Sequence, residues 1–182
     1  MTARRGVVAF AVILIATLAA DQGTKAWAHR LPVYPAGCAQ PEALLAARCA
    51  GVPQPVVDGY WDWELAYNPG VAFSTFASLT GNTGMRVVLL LIAALALVGI
   101  TLLALRAAPD DRLKRIAYGL VAGGALGNLV DRVRDGAVTD FVRWRIHDHR
   151  WPIFNLADAA LLIGVAVLVL DGLRTRRQHR LE

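Results

Sequence analysis

The stretch Phe154–Leu170, FNLADAALLIGVAVLVL, reads as the opening of a hydrophobic helix that carries a carboxylate, Asp158, in its first turn. A charge in such a helix costs free energy unless it is paired or used. Three further apolar runs accompany it: Gly6–Ala20, Val87–Leu105 and Ile116–Val130. Only Val87–Leu105 reaches 19 residues without a charge, close to the ~20 that cross a hydrocarbon core. The others reach that length when their polar ends are included, so those polar ends need a reason to be there. With 182 residues, 56% of them hydrophobic, 18% charged, and a mean hydropathy of +0.45, the chain is too apolar for an ordinary soluble domain of its size. The expected fold class is an all-α membrane protein: four transmembrane helices with a small extracytoplasmic β-sheet or hairpin. A single integral membrane domain over 1–182 has spans expected at about 6–27, 85–106, 113–133 and 154–173. Extracytoplasmic segments fall at about 28–84 and 134–153.

Arginine and lysine placement sets the orientation. Arg4 and Arg5 precede the first span, Arg106, Arg112, Lys114 and Arg115 crowd the second link, and Arg174, Arg176, Arg177 and Arg180 follow the fourth span. Four spans put these clusters on one side, the cytoplasm, together with both termini. All five tryptophans, at 27, 61, 63, 144 and 151, fall on the other side, as an interfacial belt requires. The pI of 9.8 then needs no nucleic acid partner. Arg4-Arg5, the apolar run and Leu18-Ala19-Ala20 imitate a cleavable secretory signal. Continuation of the helical pattern through Asp21, Lys25 and Trp27 favours an uncleaved span instead.

In the first outer segment Asp58-Gly59 gives a turn. Trp61, Trp63, Leu65 and Tyr67 then alternate with Asp62, Glu64 and Ala66, a strand with one aromatic face. Asn68-Pro69-Gly70 turns the chain into Val71–Ser74, so a small hairpin or sheet at the membrane surface is expected. Leu31–Pro55 is rich in Pro, Ala and Gly and holds Cys38 and Cys49; a disulfide and two free thiols are both compatible with the sequence.

Topology gathers the polar residues at one depth. Asp21 and Lys25 end span one, Asn128, Asp131 and Arg132 end span three, and Asn155 and Asp158 begin span four. Ionisable groups at such a position are a functional-site hypothesis by default. In GGALGNLVDR, Gly123 and Gly127 form a small-residue face for close helix approach, while Asn128, Asp131 and Arg132 share a helical face. In GAVTDFVRWRI, Val138, Val142, Trp144 and Ile146 alternate as a strand face, and Asp140 occupies the remaining place on it, out of pattern. A turn or cap role after Asp135-Gly136 is the bland alternative for Asp140, and a capping role the bland one for Asp158. Capping explains one carboxylate and leaves the second without a reason.

Two carboxylates at close range cannot both ionise, so one holds a proton while the other acts as base toward a shared water. That arrangement attacks a peptide carbonyl with no cofactor, no metal and no nucleophilic side chain. His147-Asp148-His149 lacks a third ligand at metal-site spacing. A Ser74–Lys25 pair ranks second among hydrolytic options, because Lys25 already has Asp21 as an i, i+4 partner.

Five blocks in order, DQGTK (Asp21–Lys25), NPGVAFS (Asn68–Ser74), GGALGNLVDR (Gly123–Arg132), VTDF (Val138–Phe141) and FNLAD (Phe154–Asp158), resemble the lipoprotein signal peptidase (signal peptidase II) family of bacterial inner membranes. The resemblance implies a four-helix aspartyl endopeptidase that cleaves diacylglyceryl-modified prolipoproteins just before the lipidated cysteine. By motif the catalytic pair falls on Asp140 and Asp158. Asp21, Lys25, Asn68, Gly70, Asn128, Asp131, Arg132 and Asn155 match substrate-binding or support positions. Trp61–Phe76 would be a small periplasmic sheet cradling the substrate, and the partners implied are diacylated prolipoproteins and membrane lipid. The dipole at the start of the fourth span would help keep Asp158 ionised, with Asp140 the more frequent holder of the proton. Leu31–Pro55, longer than the family's usual segment, and its two cysteines depart from the pattern. A monomer in the inner membrane is expected, with the site toward the periplasmic face. The rival from another class, a small transporter, would place its acids near the midplane between repeats, whereas here they gather at one edge and no repeat is visible. A non-enzymatic scaffold would tolerate loss of the Asp140 and Asp158 charges.

Overall fold

The computed structural model describes residues 3–35, 49–69, 83–108, 111–146 and 149–178. Among them are four helices, α1 (Ala3–Ala28), α2 (Thr83–Arg106), α3 (Arg112–Asp135) and α4 (Leu156–Gln178). Six strands complete the list of elements: β1 (Val33–Tyr34), β2 (Ala50–Gly51), β3 (Gln54–Val57), β4 (Trp61–Asn68), β5 (Val138–Ile146) and β6 (His149–Arg150). The protein is thus mostly helical with a small sheet, and each expected span coincides with a helix. Two helices are long and apolar enough to cross a membrane, at Arg5–Ala28 and Leu156–Arg174, and α2 contributes a shorter apolar stretch, Leu90–Arg106. Polar residues crowd both ends of α3, from Arg112, Lys114 and Arg115 to Asn128, Asp131 and Arg132.

The chain forms two compact units. The first comprises Met1–Ala20, Ala93–Gly127 and Leu156–Glu182, and its helices meet through glycine. A Cβ on Gly123 of α3 would lie 2.7 Å from Thr17 Cβ and 2.8 Å from the Leu14 carbonyl oxygen of α1. One on Gly124 would lie 2.5 Å from the Ala157 carbonyl oxygen of α4. Backbones this close leave no room for a side chain, which accounts for the adjacent glycines. The small-residue face expected at Gly123 and Gly127 extends in the other direction, to Gly119 against Ile13 and Phe10. Gly124→Val must push α4 away and is expected to cost about 1–3 kcal/mol, read as a lowered thermal transition in detergent. Phe10, Ala104 and Ala122 form the core here, with Leu14, Leu97, Ile100 and Tyr118 against them.

Arg115 is buried in this unit, and its guanidinium donates to the carbonyls of Ala104 (3.5 Å), Ala107 (2.7 Å) and Ala108 (3.4 Å). Ala104 lies in the last turn of α2 and Ala107 and Ala108 just beyond it, where carbonyls lack partners within the helix, so Arg115 acts as its C-terminal cap. Its sequence position marked it only as one of the cytoplasmic positive charges.

The second unit, Asp21–Ile92 and Asn128–Asn155, holds the antiparallel sheet β3-β4-β5-β6 and the separate ribbon β1-β2. Ala28, Leu65 and Phe141 form its core, with Trp63, Tyr67 and Val142 packed around them. Trp27 meets Trp63 edge-on at 5.1 Å between ring centroids and Phe141 at 6.0 Å, so the aromatic face read from alternation is present. On the opposite face Asp62 and Glu64 are buried. Register explains it, because β5 brings Arg145 to Asp62 at 3.2 Å and Arg143 to Glu64 at 2.5 Å. β4 pairs with β3 and β5, whereas the expected turn through Gly70 into Val71–Ser74 lies outside the described residues. Cys49 is disulfide-bonded, and the sequence holds one other cysteine, Cys38.

Burial pushes the Glu64 carboxyl above its ordinary 4.5, and the Arg143 guanidinium opposes this without cancelling it. The folded state therefore binds this proton more tightly than the unfolded chain, and the group's contribution to stability falls as pH rises above 4.5. Arg143→Met leaves desolvation unopposed. Its thermal transition is expected to fall more steeply toward neutral pH than that of the native chain, and parallel curves would count against the pairing.

Candidate active site

The sheet-bearing unit contains a connected cluster of buried polar side chains, built from the C-terminal turns of α1, the last turns of α3, the start of β5 and the residue before α4. On α1, Asp21 and Lys25 lie one turn apart, and the Lys25 Nζ sits 2.8 Å from Asp21 Oδ2. The same ammonium reaches Asp131 Oδ2 of α3 at 3.0 Å and Asn128 Oδ1 at 3.0 Å. Lys25, Asp21 and Asp131 are 1%, 0% and 0% exposed, so this is an ion triad out of contact with water. Lys25 faces two carboxylates, and the remaining negative charge of Asp131 is met by Arg134, whose Nη2 lies 4.0 Å from Oδ1, and by neutral donors: Gln22 Nε2 donates to Asp131 Oδ1 at 3.0 Å, and the Thr139 backbone N–H to Asp131 Oδ2 at 3.0 Å.

Asp140 follows Thr139 on β5 and is 2% exposed. Val138, Thr139, Asp140 and Phe141 are all buried, so the alternation read from the sequence does not extend to the start of the strand. Asn155 Nδ2 donates to Asp140 Oδ1 at 2.7 Å, to Thr139 O at 3.2 Å and to Asn128 Oδ1 at 3.1 Å. Thr139 is therefore held at its N–H by Asp131 and at its C=O by Asn155, which fixes the backbone from which Asp140 projects. Thr139 Oγ1 also lies 3.2 Å from Nε2 of His29, whose imidazole burial and Arg134 hold below its ordinary 6.5.

Of the residues singled out in the sequence, Asp21, Lys25, Asn128, Asp131, Asp140 and Asn155 join this one network. Arg132 reaches it through the Asn128 carbonyl, to which its Nη1 donates at 3.2 Å. Asn68 is exposed at the end of β4, paired with Val138 two residues before Asp140. Gly70 and Ser74 lie outside the described residues, as do His147 and Asp148. Asp158 stands in the first turn of α4, three residues after Asn155. Lys25, with its ammonium between two carboxylates, is not in the surroundings of a lysine base, which weakens the serine–lysine alternative. Sequence reasoning missed Gln22, His29 and Thr139, since each bonds to residues about a hundred positions away and no local pattern marks them.

The chain thus combines a mostly helical fold, with two helices of membrane-spanning length, and a buried polar network of aspartates, amides and one lysine. Comparison with known proteins sharpens this. The family model for signal peptidase (SPase) II matches residues 13–174, and the chain belongs to that peptidase family. It is 38% identical over 163 residues to the lipoprotein signal peptidase of Xanthomonas campestris pv. campestris (strain 8004), covering 86% of each chain. To the lipoprotein signal peptidase of Xylella fastidiosa (strain 9a5c) it is 37% identical over 164 residues, covering 87% of this chain and 86% of the other. A solved structure described as a bacterial membrane enzyme shares the fold, with a TM-score of 0.67 at 24% identity over 89% of this chain and 90% of that one.

Proposed function

We propose that this protein is an aspartyl endopeptidase at the outer edge of the bacterial inner membrane. It removes the signal peptide from diacylglyceryl-modified prolipoproteins by cutting just before the lipidated cysteine. The four helices are its spans, both termini are cytoplasmic, and the sheet lies on the periplasmic side. One chain carries the whole site and acts as a monomer, without cofactor or metal.

The observation that carries the reading is the 2.7 Å bond from Asn155 Nδ2 to Asp140 Oδ1. It ties one proposed catalytic carboxylate to the residue that introduces α4, whose first turn holds the other, Asp158. Asp140 and Asp158 share one proton. The ionised member takes a proton from water while the water oxygen adds to the scissile carbonyl carbon, and the protonated member gives its proton to the carbonyl oxygen. Collapse of the resulting diol breaks the C–N bond, and a proton goes to the departing cysteine amine. The Asn155 N–H donates to Asp140 Oδ1, and in this scheme the proton belongs to the pair. Asn68, Gly70 and Arg132 surround the substrate, and the triad of Asp21, Lys25 and Asp131 holds α1 to α3.

The test is cleavage of purified prolipoprotein, with and without its diacylglyceryl group, by the native chain in detergent. Cleavage of the lipidated form alone, mapped by mass spectrometry to the bond before the modified cysteine, is the expected result. Equal cleavage of both forms, or a cut elsewhere, would remove the assignment.

A further inference from the structure

We infer that Lys25 is a positioning residue that acts on Asp140 through two side-chain amides. This rests on the proposed role of Asp140 in catalysis. Lysine ammonium groups only donate hydrogen bonds, so the Asn128 atom at 3.0 Å from Lys25 Nζ must be its oxygen. That oxygen is also the acceptor for Asn155 Nδ2 at 3.1 Å. Asn155 thereby presents its NH₂ group to three acceptors, Asn128 Oδ1, Thr139 O and Asp140 Oδ1, and the shortest of the three bonds, 2.7 Å, goes to Asp140. Amide groups are nearly symmetric in shape, but Asn128 turned over would aim its NH₂ at the Lys25 ammonium and the Asn155 NH₂, and Asn155 turned over would aim its oxygen at three acceptor oxygens. Lys25 makes the flipped state of Asn128 unfavourable, and Asn128 does the same for Asn155.

Lys25 and Asn155 thus both donate to the Asn128 oxygen, and Asn155 links that oxygen, held by a cation locked between Asp21 and Asp131, to one oxygen of Asp140. Lys25 is fit to hold it because it cannot rotate away: it is 1% exposed and bonded to two carboxylates that are themselves out of contact with water. In this scheme Lys25 reaches Asp140 only through two amides, which separates it from a binding residue. Loss of the relay leaves Asp140 in place with its carboxylate oriented loosely, which slows the chemical step and spares substrate binding.

Steady-state cleavage of a diacylated prolipoprotein by the native chain, Asn128→Leu, Lys25→Met and the double variant tests this, with each folded fraction measured. Asn128→Leu keeps the triad of Lys25, Asp21 and Asp131, cuts the link from Lys25 to Asn155, and is expected to lower kcat about 100-fold with KM changed less than about threefold. Lys25→Met should act through the same link, so the double variant is expected to be no worse than about threefold below the poorer single variant. Costs that multiply toward about 10⁴-fold would show independent roles and overturn the inference. So would full kcat in folded Asn128→Leu, the deciding variant if Lys25→Met does not fold, or a loss confined to KM. Asp140→Asn in the same assay separates the two readings: if it cleaves normally, the catalytic assignment fails, whereas an inactive Asp140→Asn beside a fully active Asn128→Leu sinks the relay alone.

Discussion

Asp140→Asn and Asp158→Asn are each expected to lower kcat for prolipoprotein cleavage by about 10³-fold or more, with KM little changed. An amide at either position can neither take the proton of the attacking water nor return one to the carbonyl oxygen, so each substitution halts the same cycle. The double variant should be scarcely worse than either single one, because groups that act as a unit lose their effect together. The two differ in their structural risk. Asn at 140 brings an NH₂ group to a position where Asn155 already donates at 2.7 Å, so its amide must turn its oxygen toward Asn155. Position 158 lies in the first turn of α4, where Asp is favourable to the helix, and its loss costs about 0.3–1 kcal/mol. Insertion and thermal transition of both variants, measured beside activity, separate lost chemistry from lost fold. Native-like cleavage by either variant would remove that residue from the mechanism.

The largest expected loss of stability comes from Asp131→Ala. Asp131 is fully buried and accepts from Lys25 Nζ, Gln22 Nε2 and the Thr139 N–H, each at 3.0 Å. Removing the carboxylate leaves Lys25 with Asp21 as its one remaining carboxylate among these contacts and strands a backbone N–H at the start of β5. Breaking a buried ion cluster by deleting one partner costs about 3–5 kcal/mol, and the same is expected here in thermal or chemical denaturation. Asp131→Asn keeps an acceptor for Thr139 and should lose less. A loss below about 1 kcal/mol for Asp131→Ala would mean that this cluster does not hold α1 to α3.

The helices were legible because long apolar runs have few other uses, and the polar ends that looked out of place in α1 and α3 are the ends that form the network. Ordered motifs made the family legible as well. Asp140 stood out from its strand face, although the reason it does so proved different: the first four residues of β5 are buried on both faces, so alternation was never the rule there. Long-range pairing stayed hidden. Lys25 announced Asp21 one turn away, whereas its bonds to Asn128 and Asp131 depend on which helices pack together, and periodicity within one helix says nothing about that. Register hid the rest: nothing in the sequence pairs Arg143 with Glu64 or Arg145 with Asp62 until β5 lies beside β4. Arg115 likewise gained its role from carbonyls at and just beyond the end of a different helix.

The central claim is that water, activated by two aspartates, cuts the prolipoprotein directly. Intact-mass spectrometry of the native chain, quenched in acid during a single turnover with diacylated prolipoprotein, tests it most directly. Signal peptide ending just before the lipidated cysteine should be released while the mass of the enzyme stays unchanged at every time point. Transient growth of the enzyme by the mass of an acylated signal peptide would reveal a nucleophilic side chain and contradict the account.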